Sequence, residues 1–188
     1  VQGAAQCPTP VSDTVTVTIN PSPVVDAGVA QTICEGVAFV TLNGTATNGT
    51  NYTWTTDGAG SIQTTSNPLQ AKYIPNPADY TTNSGVNTIT VFLTAAGTNG
   101  CSQVVDSSTL TLYAKPQVFA GVDQTACQAS TVSLSGATAT NYNTVSWTSS
   151  GNGTFNYANS NGGIRPTYTL GSNDLTSVTL TLSAMPNA

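Results

Sequence analysis

Residues 24–48 read VVDAGVAQTICEGVAFVTLNGTATN, and residues 118–141 read VFAGVDQTACQASTVSLSGATATN. The two stretches align along their whole length, so that Cys34 matches Cys127, 93 residues further along the chain. Many positions match at this single offset, which chance does not produce. The sequence therefore predicts a tandem repeat with a period of about 93 residues.

The same offset continues on both sides of this stretch. Trp54 matches Trp147, and Asp13 in CPTPVSDTVTVTI matches Asp106 in CSQVVDSSTLTLY. We therefore expect the C-terminal strands of a preceding repeat in residues 1–20, a complete repeat in 21–114, and a second repeat, truncated before its last strand, in 115–188. The chain has neither an initiator Met nor a signal peptide, and we interpret it as a mature fragment of a longer protein.

Within a repeat, apolar and polar residues alternate with period 2, as in residues 14–19, 88–93 and 177–182. This alternation buries one face of a strand and exposes the other. Turn signals recur every 8 to 12 residues, for example Asp57-Gly58 and Asn99-Gly100. The fold class predicted is all-β, a tandem series of immunoglobulin-like β-sandwich repeats. The expected strands are A at 24–33, B at 38–45, C around Trp54, D and E within 61–73, F at 88–95 and G at 102–113.

Each repeat carries one Trp in its C strand, Trp54 or Trp147. A Trp at the centre of this strand normally fills the core between the two sheets, so we expect both residues to be packing residues. The alternative, a Trp that stacks on a sugar, requires an exposed ring.

Composition limits the classes of partner. Charged residues are 6% of the chain, with eight acids, three bases and a net charge of −5. A polybasic surface cannot be built from three bases, so we expect neither nucleic acid nor an anionic membrane as the main partner. No apolar run approaches the roughly 18 residues of a membrane helix, and membrane insertion is not expected.

The four cysteines are Cys7, Cys34, Cys101 and Cys127, and the chain has no His. Their wide spacing does not fit a zinc site and points instead to disulfides made in an oxidising compartment. One option is a bond within a repeat, between Cys34 and Cys101. The strand order favours another, in which Cys34 joins the F–G cysteine of the following repeat, because the A–B and F–G turns lie at opposite ends of a sandwich. Cys7, Cys101 and Cys127 would then also have partners in neighbouring repeats.

No constellation in the sequence supports catalysis or a resident cofactor. Without His the usual general bases and triads are missing, and the scattered carboxylates mostly recur at equivalent positions in the repeats. Acids such as Asp79 and Asp174 fit a role in turns, where they accept main-chain hydrogen bonds. Asp26 and Asp123 lie near the junctions but are not equivalent in the repeats, so a calcium site is not expected. We predict that the protein is not an enzyme and holds no metal.

The motifs quoted above, with W-T, VTLTL-A and NGC…D-S…LTL, resemble the PKD-like and immunoglobulin-like repeats of Bacteroidetes cell-surface proteins. That group includes gliding-motility adhesins exported by the type IX secretion system. The resemblance implies an extracellular, cell-surface array, exported through the periplasm, that presents an adhesive region away from the cell. Asp13-Thr14-Val15 also resembles the periplasmic O-glycosylation signal of these bacteria, which makes Thr14 a candidate glycosylation site.

The leading functional hypothesis is a structural stalk, in which neighbouring repeats of the same chain are the main partners. Pro-containing linkers at residues 20–23 and 114–116 would stiffen such an array. Two alternatives stay open: a module that binds polysaccharide or another surface, and a subunit that self-associates into a filament or sheath. The aromatic candidates for a binding loop are Tyr52, Tyr80, Tyr142 and Tyr157.

Overall fold

A computed structural model describes residues 12–81 and 85–187. The described elements are sixteen strands and one short 3-10 helix. They are β1 (Val24–Asp26), β2 (Gln31–Cys34), β3 (Val40–Asn43), β4 (Thr45–Thr47), β5 (Thr50–Thr56), β6 (Ser61–Thr64), β7 (Gln70–Ile74), η1 (Pro77–Tyr80), β8 (Val86–Ala96), β9 (Val104–Tyr113), β10 (Gln117–Phe119), β11 (Thr131–Ser133), β12 (Thr138–Thr140), β13 (Tyr142–Ser149), β14 (Thr154–Asn156), β15 (Thr167–Thr169) and β16 (Leu180–Pro186).

Strands β1 to β9 form the first unit. One sheet has the order β2-β9-β8-β5, a second has the order β3-β7-β6, and β1 pairs with β4. All pairs are antiparallel except β2 with β9, which is parallel. The first unit is an all-β, immunoglobulin-like sandwich, and the predicted fold class is confirmed.

The core of the first unit forms from the alternate residues of its long strands. On β8, Ile89, Val91, Leu93 and Ala95 face inward and are buried, as the period-2 alternation predicts. The buried cluster comprises Ala27, Ile33, Val40, Leu42, Trp54, Ala71, Tyr73, Ile89, Val91, Leu93, Leu110 and Leu112. Leu110 and Leu112 come from β9, so the last strand of this unit closes one side of its core.

Strands β10 to β16 form the second unit, and its pairs β13–β16, β11–β15–β14 and β10–β12 correspond to β5–β8, β3–β7–β6 and β1–β4 of the first. Trp147 lies opposite Leu182 in the β13–β16 ladder, as Trp54 lies opposite Leu93 in the β5–β8 ladder. The remaining sheets are β11-β15-β14 and β10-β12. The buried cluster of this unit is smaller and comprises Leu134, Ala137, Trp147, Ile164 and Leu182.

The first two predicted strands are each divided in the structure, so their prediction as continuous strands was wrong. Strand A breaks into β1 and β2 around Gly28, whose φ is +85° and where a Cβ would lie 2.8 Å from the carbonyl oxygen of Asn43. Strand B breaks into β3 and β4 at Gly44, where a Cβ would overlap the side chains of Leu93 and Trp54. These breaks let one strand contribute to two sheets.

Candidate functional site

Asp79 is a buried carboxylate of the first unit, only 2% exposed. Its Oδ2 accepts hydrogen bonds from the Tyr73 hydroxyl at 2.7 Å and from the Asn76 amide at 2.8 Å. Its Oδ1 accepts a hydrogen bond from the Ala59 amide at 2.7 Å. The Tyr73 oxygen accepts a hydrogen bond from the Gly60 amide at 3.1 Å. One carboxylate thus ties the β5–β6 turn to the start of η1.

The second unit repeats this network at Tyr168 and Asp174. The Asp174 carboxylate accepts hydrogen bonds from the amides of Asn152 at 2.9 Å and Gly171 at 2.8 Å, and from the Tyr168 hydroxyl at 3.4 Å. The Tyr168 oxygen accepts a hydrogen bond from the Gly153 amide at 2.9 Å. Both acids therefore hold loops together through main-chain N–H groups, as the sequence suggested.

The electrostatics of the two networks follow from these contacts. Burial, together with the hydrogen bond to Asp79, raises the pKa of Tyr73 far above its ordinary value. The main-chain hydrogen bond from Asn152, followed by that from Gly171, lowers the pKa of Asp174. At neutral pH, Tyr73 therefore stays protonated and Asp174 stays charged. Tyr73 is thus a poor general base, and Asp174 is a poor general acid. The arrangement is suited to holding loops in place.

The described residues, 12–81 and 85–187, contain no group of three or more His, Cys, Asp or Glu side chains that could hold a metal ion. Within the same part of the chain, no helix is long and apolar enough to cross a membrane.

The two tryptophans lie in their cores, 5% and 6% exposed for Trp54 and Trp147. Trp147 Nε1 donates a hydrogen bond to the carbonyl oxygen of Ile164 at 3.1 Å, whereas Trp54 Nε1 is buried without a partner. Neither ring is presented for stacking on a ligand.

Three of the four candidate tyrosines pack against a core. Tyr52 and Tyr80 contact the first core, and Tyr142 contacts the second. Tyr157 is exposed and lies beside Phe155, with the ring centroids 6.0 Å apart. The structure thus brings no two of these tyrosines together into an aromatic platform.

The junction between the units is built from contacts that the sequence analysis missed. The Lys115 amide donates to Glu35 Oε2 at 2.8 Å, and Asn141 Nδ2 donates to the Lys115 carbonyl oxygen at 3.2 Å. Gly85 has φ +70°, and a Cβ there would lie 2.8 Å from Cα of Asn141. The linker is thereby held by both units. The sequence Asn-Ser-Gly at residues 83–85 is typical of a turn, but it does not indicate a contact with the next repeat.

A related junction lies at the other end of the first unit. Asn99 Nδ2 donates to Asn20 Oδ1 at 3.3 Å, and Cys101 Sγ lies 3.6 Å from the carbonyl oxygen of Asn20. The turn between β8 and β9 is therefore in contact with the linker that precedes the unit.

Three of the four candidate cysteines lie in the described part of the chain, and all three are free. Cys7 lies outside the described residues. Cys34 and Cys127 are exposed, and Cys101 is partly buried. Cys34 ends β2 beside Tyr113, the last residue of β9, whereas Cys101 precedes the first residue of that strand.

The contacts at the two junctions indicate where the cysteine of a following repeat would lie relative to Cys34. Asn20 is the counterpart of Tyr113 at the 93-residue offset, and Cys101 Sγ lies against Asn20. A cysteine in the corresponding turn of a following repeat would therefore lie against Tyr113. Cys34 is the neighbour of Tyr113 in the parallel β2–β9 pair.

The candidate glycosylation residue, Thr14, is exposed in a segment without secondary structure. Its amide donates to Asp13 Oδ1 at 2.8 Å. Among the described residues, the Thr14 side chain is therefore accessible to solvent.

Comparisons with known proteins give structural neighbours alone. No protein-family model and no curated protein matches the sequence. The chain is similar to a three-domain titin fragment, I67–I69, in an E-to-A mutated variant (11% identity, TM-score 0.44) and to the I-band fragment I67–I69 from titin (12% identity, TM-score 0.42). Each alignment covers 87% of this chain and 65% of the titin fragment. It is also similar to titin domains z1z2 in complex with telethonin (14% identity, TM-score 0.31, 90% of this chain and 98% of that one).

Proposed function

We propose that the chain is a structural spacer, a pair of sandwich repeats that holds a fixed distance and direction within a longer array. The observation that carries this proposal is the junction at Lys115, whose main chain is hydrogen-bonded to Glu35 on one side and Asn141 on the other. A flexible linker would have no such partners. Pro116 adds a restricted φ directly after Lys115.

The finer proposal is that the array belongs to a large secreted cell-surface adhesin and presents an adhesive region away from the cell. Its support is the resemblance of the repeat motifs to Bacteroidetes surface proteins of the gliding-motility-adhesin type. Low charge and a surface of Thr, Ser, Asn and Gly suit such an extracellular array.

We further propose that disulfides between successive repeats reinforce the spacer. The support is the placement of Cys34 beside Tyr113 and of Cys101 beside Asn20, its counterpart at the preceding junction. Such bonds would carry tension from one repeat to the next through covalent links. They would form in an oxidising compartment, which accords with export.

The test of the spacer is whether the two units keep a fixed relative orientation in solution. Residual dipolar couplings of the purified chain should fit one alignment tensor for both units. Gly85→Ala should give each unit a tensor of its own, because the new Cβ meets Asn141. Gly100→Ala is the matched control, since Gly100 also has positive φ but its Cβ would meet nothing within 4 Å.

A second variant, at Glu35, tests the junction without changing a core residue of either unit. Glu35→Ala removes the acceptor of the Lys115 amide, whereas Glu35→Gln keeps a carbonyl oxygen there. We expect only the alanine variant to loosen the junction. Independent tensors in the wild-type chain would refute the spacer.

The proposed export is tested at Thr14. Intact-mass analysis of the protein from its own host should show an O-glycan on the peptide that contains Thr14, and Thr14→Val should lose it. The bare peptide mass at this position in wild-type protein would contradict the proposed glycosylation.

A further inference from the structure

The sequence contains five Asn-Gly dipeptides, which begin at Asn43, Asn48, Asn99, Asn152 and Asn161. An asparagine before glycine can react with its own main chain, because glycine has no Cβ to hinder the approach of its amide nitrogen to the asparagine side-chain carbon. The reaction needs a glycine amide that can leave its hydrogen bond and move toward that carbon. The surroundings of the glycine amides therefore decide which of these sites can react in the folded protein.

Two of these glycine amides donate hydrogen bonds within the fold. The Gly44 amide donates to the carbonyl oxygen of Leu69 at 2.9 Å. The Gly153 amide donates at 2.9 Å to the hydroxyl oxygen of Tyr168, a fully buried side chain. Each amide must lose its acceptor before it can attack, so local unfolding has to precede the reaction at both sites.

Two further sites are restrained by other contacts. A Cβ at Gly49 would lie 3.2 Å from Cβ of Pro23 and 3.0 Å from Cβ of Ala95, so this glycine is closely packed. The side chain of Asn99 is held by the hydrogen bond from its Nδ2 to Asn20 Oδ1 at 3.3 Å. We expect intermediate rates of reaction at these two sites.

Asn161 lies in the loop between β14 and β15 and has neither kind of restraint. Asn161 and Gly162 are both exposed. Among the described residues, neither the Asn161 side chain nor the Gly162 amide has a hydrogen-bond partner. A Cβ at Gly162 would meet no atom within 4 Å. Nothing in the surroundings therefore blocks the rotation that brings the Gly162 nitrogen to the Asn161 side chain.

The corresponding loop of the first unit, between β6 and β7, has a different dipeptide. It carries Asn67 followed by Pro68. The proline nitrogen bears no hydrogen and cannot close the same ring. At this place in the fold, the reactive dipeptide belongs to the second unit.

We propose that Asn161 is a site of spontaneous modification, at which the protein reacts with itself and then with water. The Gly162 nitrogen loses its proton to solvent and attacks Cγ of Asn161. A new N–Cγ bond closes a succinimide ring, and the Cγ–Nδ2 bond breaks as ammonia leaves with a proton taken from solvent. Water then opens the ring at Cγ to give aspartate, or at the main-chain carbonyl to give isoaspartate. The step transfers no electrons.

Isoaspartate lengthens the main chain by one methylene inside a loop whose ends are tied together. The Arg165 amide donates to the Ser160 carbonyl oxygen at 2.7 Å, so these two residues bracket Asn161. Between them lies Ile164, whose carbonyl oxygen accepts the hydrogen bond from Trp147 Nε1 at 3.1 Å. A longer chain between the bracketing residues displaces Ile164, and conversion therefore loosens the hold of the loop on the buried indole.

The test is the rate of conversion at each site in the full chain, incubated at mildly alkaline pH. Chymotrypsin cuts after Phe155 and Tyr157, which separates Asn152 from Asn161. Peptide masses report the exchange of NH for O, and labelling by isoaspartate methyltransferase reports the isoaspartate. We expect Asn161 to convert at least about fivefold faster than Asn152, because one ordinary hydrogen bond supplies about that factor. Equal rates in the folded chain, or a slower Asn161, would overturn the proposal.

Two controls separate the effect of the fold from that of the sequence. In urea the two rates should agree, because both asparagines precede glycine and no fold protects either. Tyr168→Phe removes the acceptor of the Gly153 amide and should speed conversion of Asn152 by a similar factor, whereas Asn161 in the same unit should keep its rate. An unchanged rate at Asn152 in the folded variant would show that this hydrogen bond is not the source of protection. Asn161→Gln should lose the products at that position.

The effect on the core is read from the indole resonances. As the protein ages, Trp147 should gain a second Nε1 resonance whose intensity follows the isoaspartate content at Asn161. Trp54 should keep one resonance, because its unit has Asn67-Pro68 in the corresponding loop. A single, unshifted Trp147 resonance in fully converted protein would refute the loosening of the loop.

Discussion

Cys34 and Tyr113 are register partners in the parallel pair of β2 and β9. This pairing fixes Cys34 at the end of the first unit from which the chain leaves for the second. Cys101 lies before the start of β9, at the other end of the unit. The two cysteines belong to one repeat and are nevertheless separated by the length of a ten-residue strand.

The first prediction is that Cys34 and Cys101 of one molecule do not form a disulfide. Ten strand residues separate their ends by about 33 Å, whereas a disulfide needs Cα atoms within about 4.4–6.8 Å. Non-reducing peptide mapping of monomeric protein after mild oxidation should give no peptide that joins the two. Finding that peptide would mean that the strand order of the first unit is wrong.

The second prediction concerns the tyrosine–aspartate networks. Tyr73→Phe removes a side-chain donor from the buried Asp79 and should lower the free energy of unfolding of the first unit by about 1–3 kcal/mol. Tyr168→Phe is the matched variant, and its cost should be smaller because Asp174 is more exposed and its bond to the hydroxyl is long. Urea denaturation followed by amide resonances of each unit measures both. A larger cost for Tyr168→Phe would contradict this ranking.

The third prediction is a pH dependence from Asp174. The amides of Asn152 and Gly171 hold its pKa below the ordinary value, so the folded state favours the charged carboxylate. The resulting stabilisation is complete above the unfolded pKa of about 3.9 and is lost as pH falls through the lower folded value. Stability differences between wild type and Asp174→Asn should therefore shrink below about pH 4. Acid denaturation checks this, with Asp123→Asn as an exposed control. A difference that stays constant from pH 7 to pH 2 would be evidence against it.

The fourth prediction compares the two tryptophans. Trp54→Ala empties a closed core and should cost about 3–5 kcal/mol. Trp147 belongs to the smaller core of the second unit, so its truncation should cost less. Thermal denaturation of the two variants, followed by amide resonances of each unit, measures both costs. Equal costs would contradict this ranking.

The period-2 alternation was sufficient to predict β8 and β9, because inward residues such as Leu93 and Leu110 are spaced as a half-buried strand requires. It could not predict the division of the first two strands. Gly28 and Gly44 mark those breaks, but a glycine within a strand pattern also occurs at bulges, and only the packing shows that a Cβ at Gly44 would meet Trp54.

The contacts between repeats were beyond the reach of the sequence. Glu35 corresponds to Gln128 in the second repeat, so the acid that binds the Lys115 amide does not stand out as a repeated feature. The recurring acids Asp79 and Asp174 were predicted to accept main-chain hydrogen bonds in turns, whereas no role was predicted for their partners Tyr73 and Tyr168. Recurrence therefore identified what stabilises each unit and missed what joins the units.

The fifth prediction concerns the proposed disulfides between successive repeats. Cys101 Sγ lies against Asn20, and Cys34 lies beside Tyr113, the counterpart of Asn20 at the 93-residue offset. In the longer array, Cys34 should therefore pair with the cysteine in the corresponding turn of the following repeat.

Non-reducing peptide mapping of the protein purified from its own host should show Cys34 joined to a peptide of another repeat. Cys34→Ser should abolish that crosslinked peptide and spare the crosslink of Cys101, because each junction has its own pair of cysteines. Cys34 recovered as a free thiol from the oxidised wild-type protein would contradict the proposed disulfides.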